Sequence, residues 1–355
     1  MKRTSWPSIC PQTLAILTAL SSLIMTSFAD QARTAHIAFR PGQPWQDTNG
    51  VNINAYGGGV IFHGGRYYWY GEYQLPGRSE QQMADGGVRC YSSTDLYNWK
   101  DEGVVLAVDE KNPESEIAAG CILERPKVIY NEKTKKFVMF FKLYDREVGY
   151  EVAYVGVATA TRASGPFTYR HRFLGGGSPK GSGDFAIVRD RDGSVYHLAV
   201  RKPDKVFCAG LLRADYLFPA GHYHPVEGIE RHTEAPAVVK RPEGYYLIGS
   251  GSTGFKSNAA RAFFATNLTG PYKALGNPAR GVNPHNRLGP EKTFGGQISF
   301  VIPVEGKSNA YIAMFDLWKP KAPIDALSAW LPLQFDSGKP IIQWHTEWDL
   351  SVFKE

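Results

Sequence analysis

Cysteine is scarce in this chain. Four cysteines among 355 residues form no CxxC pair and no Cys/His spacing suited to a metal, which excludes zinc modules and dithiol redox motifs. Cys10 falls in the N-terminal leader described below. The remaining three, Cys90, Cys121 and Cys208, are an odd number read as buried small apolar side chains, with one disulfide left open. No GxxxxGK[ST] is present and no GxGxxG sits between a strand and a helix, so nothing supports a phosphate-bearing cofactor. A net charge of +6 is modest for this length, and no stripe of Lys and Arg interleaves with aromatics, which excludes nucleic acid as a partner. Sustained 3.6-residue periodicity is missing as well, and with it any helical domain.

Long apolar runs are confined to the N-terminus. Lys2 and Arg3 precede the run Leu14 to Met25, and Ser27-Phe28-Ala29 supplies small residues at a cleavage site, which predicts a secretory leader over residues 1–29 cut after Ala29. A membrane anchor would need ~20 apolar residues, and this run is shorter and broken by Thr18, Ser21 and Ser22. The mature protein is therefore expected to be secreted or periplasmic, free of the membrane, and to act as a monomer.

What the chain does have is a repeated hairpin. "GGGVIFHGGRYYWYGE" from Gly57 has four counterparts: "ERPKVIYNEKTKKFVMFFK" from Glu124, "DFAIVRDRDGSVYHLAVRK" from Asp184, "EAPAVVKRPEGYYLIGSG" from Glu234 and "QISFVIPVEGKSNAYIAMFDLW" from Gln297. Each has a special first residue, a short apolar strand, a turn and an aromatic-rich return strand. The heads are 67, 60, 50 and 63 residues apart, room for four short strands per unit. Two small-Gly-Pro-aromatic corners, Ser164 to Phe167 and Thr269 to Tyr272, also repeat. This spacing predicts an all-β fold, a five-bladed β-propeller over residues 35–355. The tail "IIQWHTEWDLSVF" is expected to close the ring with the N-terminal segment.

In a propeller the inner-strand heads converge on the central channel. Those heads are Gly57, Glu124, Asp184, Glu234 and Gln297. Carboxylates within ~4–6 Å raise one another's pKa, and burial raises it further, which is what a general acid requires. Aromatic residues (Tyr67, Tyr68, Trp69, Tyr70, Tyr150, Phe255 and Trp318) accompany the heads, and rings beside carboxylates and amides suit a glycan. Three glycines, Gly57, Gly58 and Gly59, mark a place where a ligand or another backbone comes close.

Together "NINAYGGGVIFHGGRYYWYGE", "ILERPKVIYN", "EAPAVVKRPEGYYLIGSGSTGF", "FGGQISFV" and "WLPLQF" resemble glycoside hydrolase family 43, in its exo-β-1,3-galactanase branch. The resemblance implies an inverting hydrolase that releases galactose from the non-reducing end of β-1,3-galactan, with an oligosaccharide or polysaccharide as partner. It implies Glu234 as general acid, Asp184 as the residue that tunes and orients it, and Gln297 in place of the missing base. Glu124 would bind hydroxyls or hold the water. Glu72, Tyr150, Thr253, Asp316 and Trp318 would contact substrate. Gly57 would stand where most relatives project an Asp base, leaving space for sugar or water. An inverting pair sits ~6.5–9.5 Å apart, so Gln297 or Glu124 is expected at that distance from Glu234. No cofactor is required, while a structural calcium ion in the channel is left open.

The chain departs from the family pattern at Tyr56, where His is usual, at Leu317, where Arg is usual, and at Lys202 and Lys205, where the branch is polar and uncharged. These departures leave the sugar open. The alternatives are a hydrolase of the same fold acting on α-L-arabinofuranosides, β-D-xylosides or a uronic-acid-decorated galactoside, and a carbohydrate-binding propeller without catalysis. A cation at Lys202 or Lys205 would accept the acidic substituent of such a galactoside.

Overall fold

Each repeated hairpin becomes the inner half of a four-stranded antiparallel sheet. The computed structural model describes residues 35–78 and 85–353, and the expected leader lies outside them. Blade 1 holds β1 (Tyr56–His63), β2 (Arg66–Glu72), β3 (Val88–Ser93) and β4 (Lys100–Leu106). Blade 2 holds β5 (Ile122–Asn131), β6 (Lys136–Tyr144), β7 (Tyr154–Ala160) and β8 (Thr168–Leu174). Blade 3 holds β9 (Ser182–Arg189), β10 (Val195–Arg201), β11 (Phe207–Leu211) and the short β12 (His224–Pro225). Blade 4 holds β13 (Thr233–Arg241), β14 (Gly244–Gly251), β15 (Ala260–Ala265) and β16 (Lys273–Gly276). The chain next lays down β17 (Ala279–Arg280). Blade 5 follows with β18 (Gln297–Pro303), β19 (Tyr311–Leu317), β20 (Leu327–Asp336) and β21 (Lys339–Gln343), and β17 pairs parallel with β21 on its outer edge. The first strands β1, β5, β9, β13 and β18 pack side by side in that order, and β18 returns to β1. The result is a closed five-bladed β-propeller.

The sequence pattern explains this packing. Successive side chains of a strand point to opposite faces, and here both faces of each blade are covered by neighbouring blades. On β2, Tyr67 and Trp69 join blade 5 residues such as Ile312 and Trp330, whereas Tyr70 joins Leu123, Met139 and Phe141 of blade 2. On β14, Tyr245 and Leu247 pack toward blade 3 while Tyr246 and Ile248 pack toward blade 5. Val138 and Phe140 of β6 meet Phe185 of blade 3. Five apolar layers thus lie between five sheets. Cys90, Cys121 and Cys208 are free and buried, Cys90 and Cys121 lying in the layer between blades 1 and 2.

Local turns follow from residue type. Gly64 and Gly65 both have positive φ (58° and 79°) and link the paired His63 and Arg66, the two-residue hairpin turn that glycine pairs favour. The two repeated corners occupy corresponding places, between β7 and β8 and between β15 and β16. In each, a glycine of positive φ (Gly165 or Gly270) precedes a proline and a buried aromatic, Phe167 or Tyr272.

Ring closure departs in part from expectation. Residues 341–343 belong to β21, and the N-terminal segment meets the tail at a single bridge, where Phe39 and Trp348 exchange two backbone hydrogen bonds (2.7 and 3.1 Å). An ion pair, Arg40 with Glu347 at 2.7 Å, and aromatic packing add to it. Phe39 stacks on Trp348 with ring centroids 4.4 Å apart, and Trp330 contacts Trp45, Trp69 and Trp99 at 5.0, 4.7 and 5.7 Å. Replacing Trp330 by Ala should cost about 3–5 kcal/mol in chemical denaturation. An unchanged midpoint would mean that this cluster does not hold blade 5 to blade 1.

Candidate active site

All five inner strands are irregular near their heads. The pairing register shifts after Tyr56, after Glu124, between Ser182 and Phe185, after Glu234 and after Ile298. Bulges of this kind bend a strand and re-aim its side chains. In blades 1, 2 and 4 the residue after the head has positive φ: Gly57 (64°), Arg125 (56°) and Ala235 (53°). In register, therefore, Tyr56 rather than Gly57 corresponds to Glu124 and Glu234, and Asp184 lies within the bulge of β9, beyond Ser182. Facing the strand heads across each hairpin is a second polar ring: Tyr56 pairs with Glu72, Glu124 with Lys142, Ser182 with Arg201, Glu234 with Ser250 and Gln297 with Asp316.

Lys142 is the hub of the charges. Its ammonium lies 2.8 Å from both Glu124 Oε2 and Asp184 Oδ1, and these carboxylates raise its pKa despite burial. Glu124 Oε1 accepts from the Tyr150 hydroxyl at 2.9 Å. Burial alone would push the Asp184 carboxyl up, but Lys142 and Arg125 hold it well below the usual range. The other Asp184 oxygen accepts from the Ala235 backbone N–H at 3.1 Å, which ties the bulge carrying Glu234 to blade 3. Arg125 donates to the Gln297 amide oxygen and lies 3.7 Å from Asp184. Gln297 in turn donates its Nε2 to Glu234 (3.2 Å) and to Ser250 (2.6 Å). Glu234 also accepts from the Ser252 hydroxyl at 2.6 Å. Burial, reinforced by the Asp184 charge, pushes the Glu234 carboxyl above its usual range.

These groups line one cavity of about 360 Å³ that takes in Glu72, Glu124, Asp184, Glu234 and Gln297. Tyr144, Tyr150, Phe255 and Trp318 wall it, with Phe255 edge-on to Trp318 at 5.9 Å. A larger hollow of about 510 Å³ lies against the outer strands of blade 3, and no carboxylate lines it. The chemistry therefore belongs to the smaller one.

Several expectations need correction. Thr253 and Asp316 do not line the cavity. Thr253 is exposed, and its hydroxyl bonds within its own loop, to Lys256 and Asn258. Asp316 is buried and accepts from the Gly57 N–H at 3.1 Å. Of the aromatics, Tyr67, Trp69 and Tyr70 are buried between blades and Tyr68 packs, partly buried, against the layer between blades 1 and 2, so Tyr150, Phe255 and Trp318 remain at the cavity. Gln297 touches Glu234 directly and does not stand a water's width away.

The glycines do mark a close approach, of backbone at Gly58, while the space expected for sugar or water at Gly57 is taken by a side chain. A methyl on Gly57 would overlap the Glu72 carboxylate, one on Gly58 the Tyr70 carbonyl, and one on Gly59 the side chains of Phe300 and Lys127. The room at Gly57 is filled by a carboxylate from the return strand. Tyr56, at the family's His position, turns away from the cavity and donates to the Ala326 carbonyl at 2.8 Å.

Sequence reasoning missed the cations. Arg125, Lys127 and Lys142 are buried and must find partners; only Lys142 carries a sequence signal, as a charge interrupting the apolar strand "KFVMFFKLY". Lys127 donates to the carbonyls of Gly57 and Gly58, both at 2.9 Å. Burial and the Arg125 charge pull its ammonium down to about 7. Among the described residues, no group of three or more His, Cys, Asp or Glu is arranged to hold a metal ion.

With this geometry in view, comparison with known proteins is informative. The sequence model of glycosyl hydrolases family 43 matches residues 59–288. A family 43 β-1,3-galactosidase solved with galactodeoxynojirimycin is 34% identical, with a TM-score of 0.78 over 88% of this chain and 100% of that one. An exo-β-1,3-galactanase from Phanerochaete chrysosporium, solved with β-1,3-galactotriose, is 29% identical, with a TM-score of 0.75 over 88% of this chain and 68% of that one. The exo-β-1,3-galactanase from Clostridium thermocellum is 31% identical, with a TM-score of 0.73 over 87% and 66%. None of the curated proteins matches the sequence.

Glu72 supplies a test of the buried network. Burial first, and the Glu124 charge second, push its carboxyl up to about 8, against ~4.3 in an unfolded chain. A carboxyl raised in this way contributes stability that is complete below its unfolded pKa and is lost as pH rises through the folded one. Between about pH 5 and about pH 8.5 the wild type should therefore lose more melting temperature than Glu72→Gln does. Equal losses would show that Glu72 is not buried as the acid.

Proposed function

The chain belongs to glycosyl hydrolases family 43, and on that premise we propose that it is an exported, inverting exo-hydrolase that releases galactose from the non-reducing end of β-1,3-galactan. The observation that carries this reading is the state of Glu234. It is a carboxyl kept above its usual pKa, held between Ser252 and Gln297, on the wall of an aromatic-sided cavity. The galactanase likeness of the neighbours in sequence and shape supports the sugar.

In this reading Glu234 gives its proton to the oxygen leaving the terminal sugar. Asp184, ionised by its two cations, keeps that proton on Glu234 until the transition state, because two nearby carboxylates resist ionising together. Its bond to the Ala235 N–H also fixes the acid's backbone. Tyr150, Phe255 and Trp318 offer ring faces to the sugar, and Glu124 and Glu72 accept from its hydroxyls.

Glu124 and Gln297 orient the water on the far face. The water's oxygen bonds to the anomeric carbon as the bond to the leaving oxygen breaks, and its proton passes to the Glu124 carboxylate. The Gln297 oxygen accepts from Arg125 and its nitrogen donates to Glu234, so it reaches that water only if the entering sugar parts the amide from the acid. No cofactor takes part. Lys127 donates to the carbonyls of Gly57 and Gly58 and so fixes the blade 1 bulge that admits Glu72 to the cavity. The leader over residues 1–29 supports export.

Incubation with β-1,3-galactobiose, followed by NMR, should show α-galactose as the first anomer; β-galactose would overturn inversion. Activity confined to arabinofuranosides or xylosides would replace the substrate. Glu234→Gln should lower kcat by about 10²–10⁴-fold and abolish the alkaline limb of the pH profile. A wild type that binds galactan without turning it over would make the protein a binding propeller.

A further inference from the structure

Charges facing the cavity separate into paired and unpaired groups. In the floor, Lys142 and Arg125 are matched by Glu124 and Asp184. On the blade 3 side stand two more cations, Lys202 and Lys205, in the loop between β10 and β11, and both line the cavity. The loop's own carboxylate, Asp204, is taken by Arg201, 2.6 Å from its guanidinium. Among the described residues, Lys202 and Lys205 have no ion-pair partner. The two carboxylates whose charges act on Lys202, Glu124 and Asp184, are already engaged by Lys142.

The loop is built rather than loose. The Lys202 N–H donates to the Gly181 carbonyl at 2.9 Å and the Lys205 N–H to the Arg201 carbonyl at 3.0 Å, while the Lys205 carbonyl accepts from the His232 N–H at 3.3 Å. Ser178 donates to the Lys202 carbonyl. Lys205 has positive φ (58°). The Lys202 ammonium donates to the Tyr150 carbonyl at 2.6 Å and sits 5.2 Å from the centre of the Tyr144 ring. The mutual repulsion of Lys202, Lys142 and Lys205 adds to burial in drawing the Lys202 pKa down to about 8. Two lysines held by their backbone on a cavity wall, without counter-charge, would be relieved by an anion from outside.

We propose that Lys202 and Lys205 form a subsite for an anionic group, the carboxylate of a uronic acid or a sulfate ester, carried by the galactan chain that enters the cavity. The inference rests on the galactan reading of the site and narrows it: the preferred substrate is an acidic galactan rather than a neutral one. Neutral hydroxyls would leave both lysines with water or backbone as their partners, whereas an anion forms charge-assisted hydrogen bonds to them.

The test compares kcat/KM on three substrates at low salt: β-1,3-galactobiose, the same disaccharide with a β-glucuronosyl group on O6 of the reducing-side galactose, and the same disaccharide with a sulfate there. Wild type should favour an acidic substrate over the neutral one by roughly five- to tenfold. That ratio should fall toward unity in Lys205→Gln and in Lys202→Gln, and in wild type as salt screens the charges. Preference for the glucuronosyl substrate alone identifies a carboxylate site, and preference for the sulfated one alone a sulfate site. A wild type that favours the neutral disaccharide, or ratios that neither substitution changes, would overturn the proposal.

If no galactoside is turned over, the galactan reading fails instead. The subsite is then tested by calorimetric titration of glucuronosyl-galactose and of galactose 6-sulfate. Weaker binding to Lys205→Gln than to wild type upholds the subsite, and equal or absent binding to both removes it.

Discussion

One ammonium group, that of Lys142, organises the site. It stands 2.8 Å from two carboxylates that belong to different blades, Glu124 of its own sheet and Asp184 of the next. Without it, two acids would be buried side by side, and one would take up a proton rather than remain charged. With it, Asp184 is held ionised, and an ionised Asp184 is what raises Glu234 beyond the effect of burial. The state of the proton donor on blade 4 is thus set by a lysine on blade 2, through an aspartate on blade 3. Breaking a buried pair of this kind leaves an uncompensated charge and costs about 3–5 kcal/mol, so the same contact also ties blade 2 to blade 3, and the Ala235 N–H on Asp184 extends the tie to blade 4.

Fold and chemistry meet at the bulges. A regular strand would send alternate side chains into the layers between blades, where only apolar groups are tolerated. The irregular step near each head breaks that alternation and lets consecutive residues reach the channel, as Glu124 and Arg125 do. The same device in blade 1 gives Gly57, whose missing side chain admits Glu72 from the neighbouring strand. Blade 1 therefore contributes its carboxylate from the return strand, whereas blades 2 and 4 contribute theirs from the inner strand.

Much of this was legible beforehand. Five hairpins with aromatic return strands imply five sheets, and the heads Glu124, Asp184, Glu234 and Gln297 do meet at one cavity. Residues on the second strand of each hairpin were harder to place, because their position depends on pairing register. Lys142 and Asp316 read as single polar interruptions in "KFVMFFKLY" and "YIAMFDL", and only the pairing shows that Lys142 faces Glu124 and Asp316 faces Gln297. Contacts between blades were not legible at all. The bond between Gln297 and Glu234 spans 63 residues, and nothing in either motif announces it. In the loop following β14 side-chain direction follows local bonding rather than strand alternation: the Thr253 hydroxyl bonds within the loop, and Ser252 turns toward the acid.

The two-sided burial of every blade limits how such a chain can change. On β2 and β14 neighbouring rings serve opposite layers, so inserting or deleting one residue would exchange the faces and strand each aromatic against the wrong partner. Strand length is in effect frozen, and evolutionary novelty must enter through the connecting segments at the rim. The five-residue link Lys202 to Val206 is such a segment: its two lysines reach the cavity while β10 and β11 keep their register. New sugar preferences in this architecture are thus expected to arise as loop exchanges on an invariant frame.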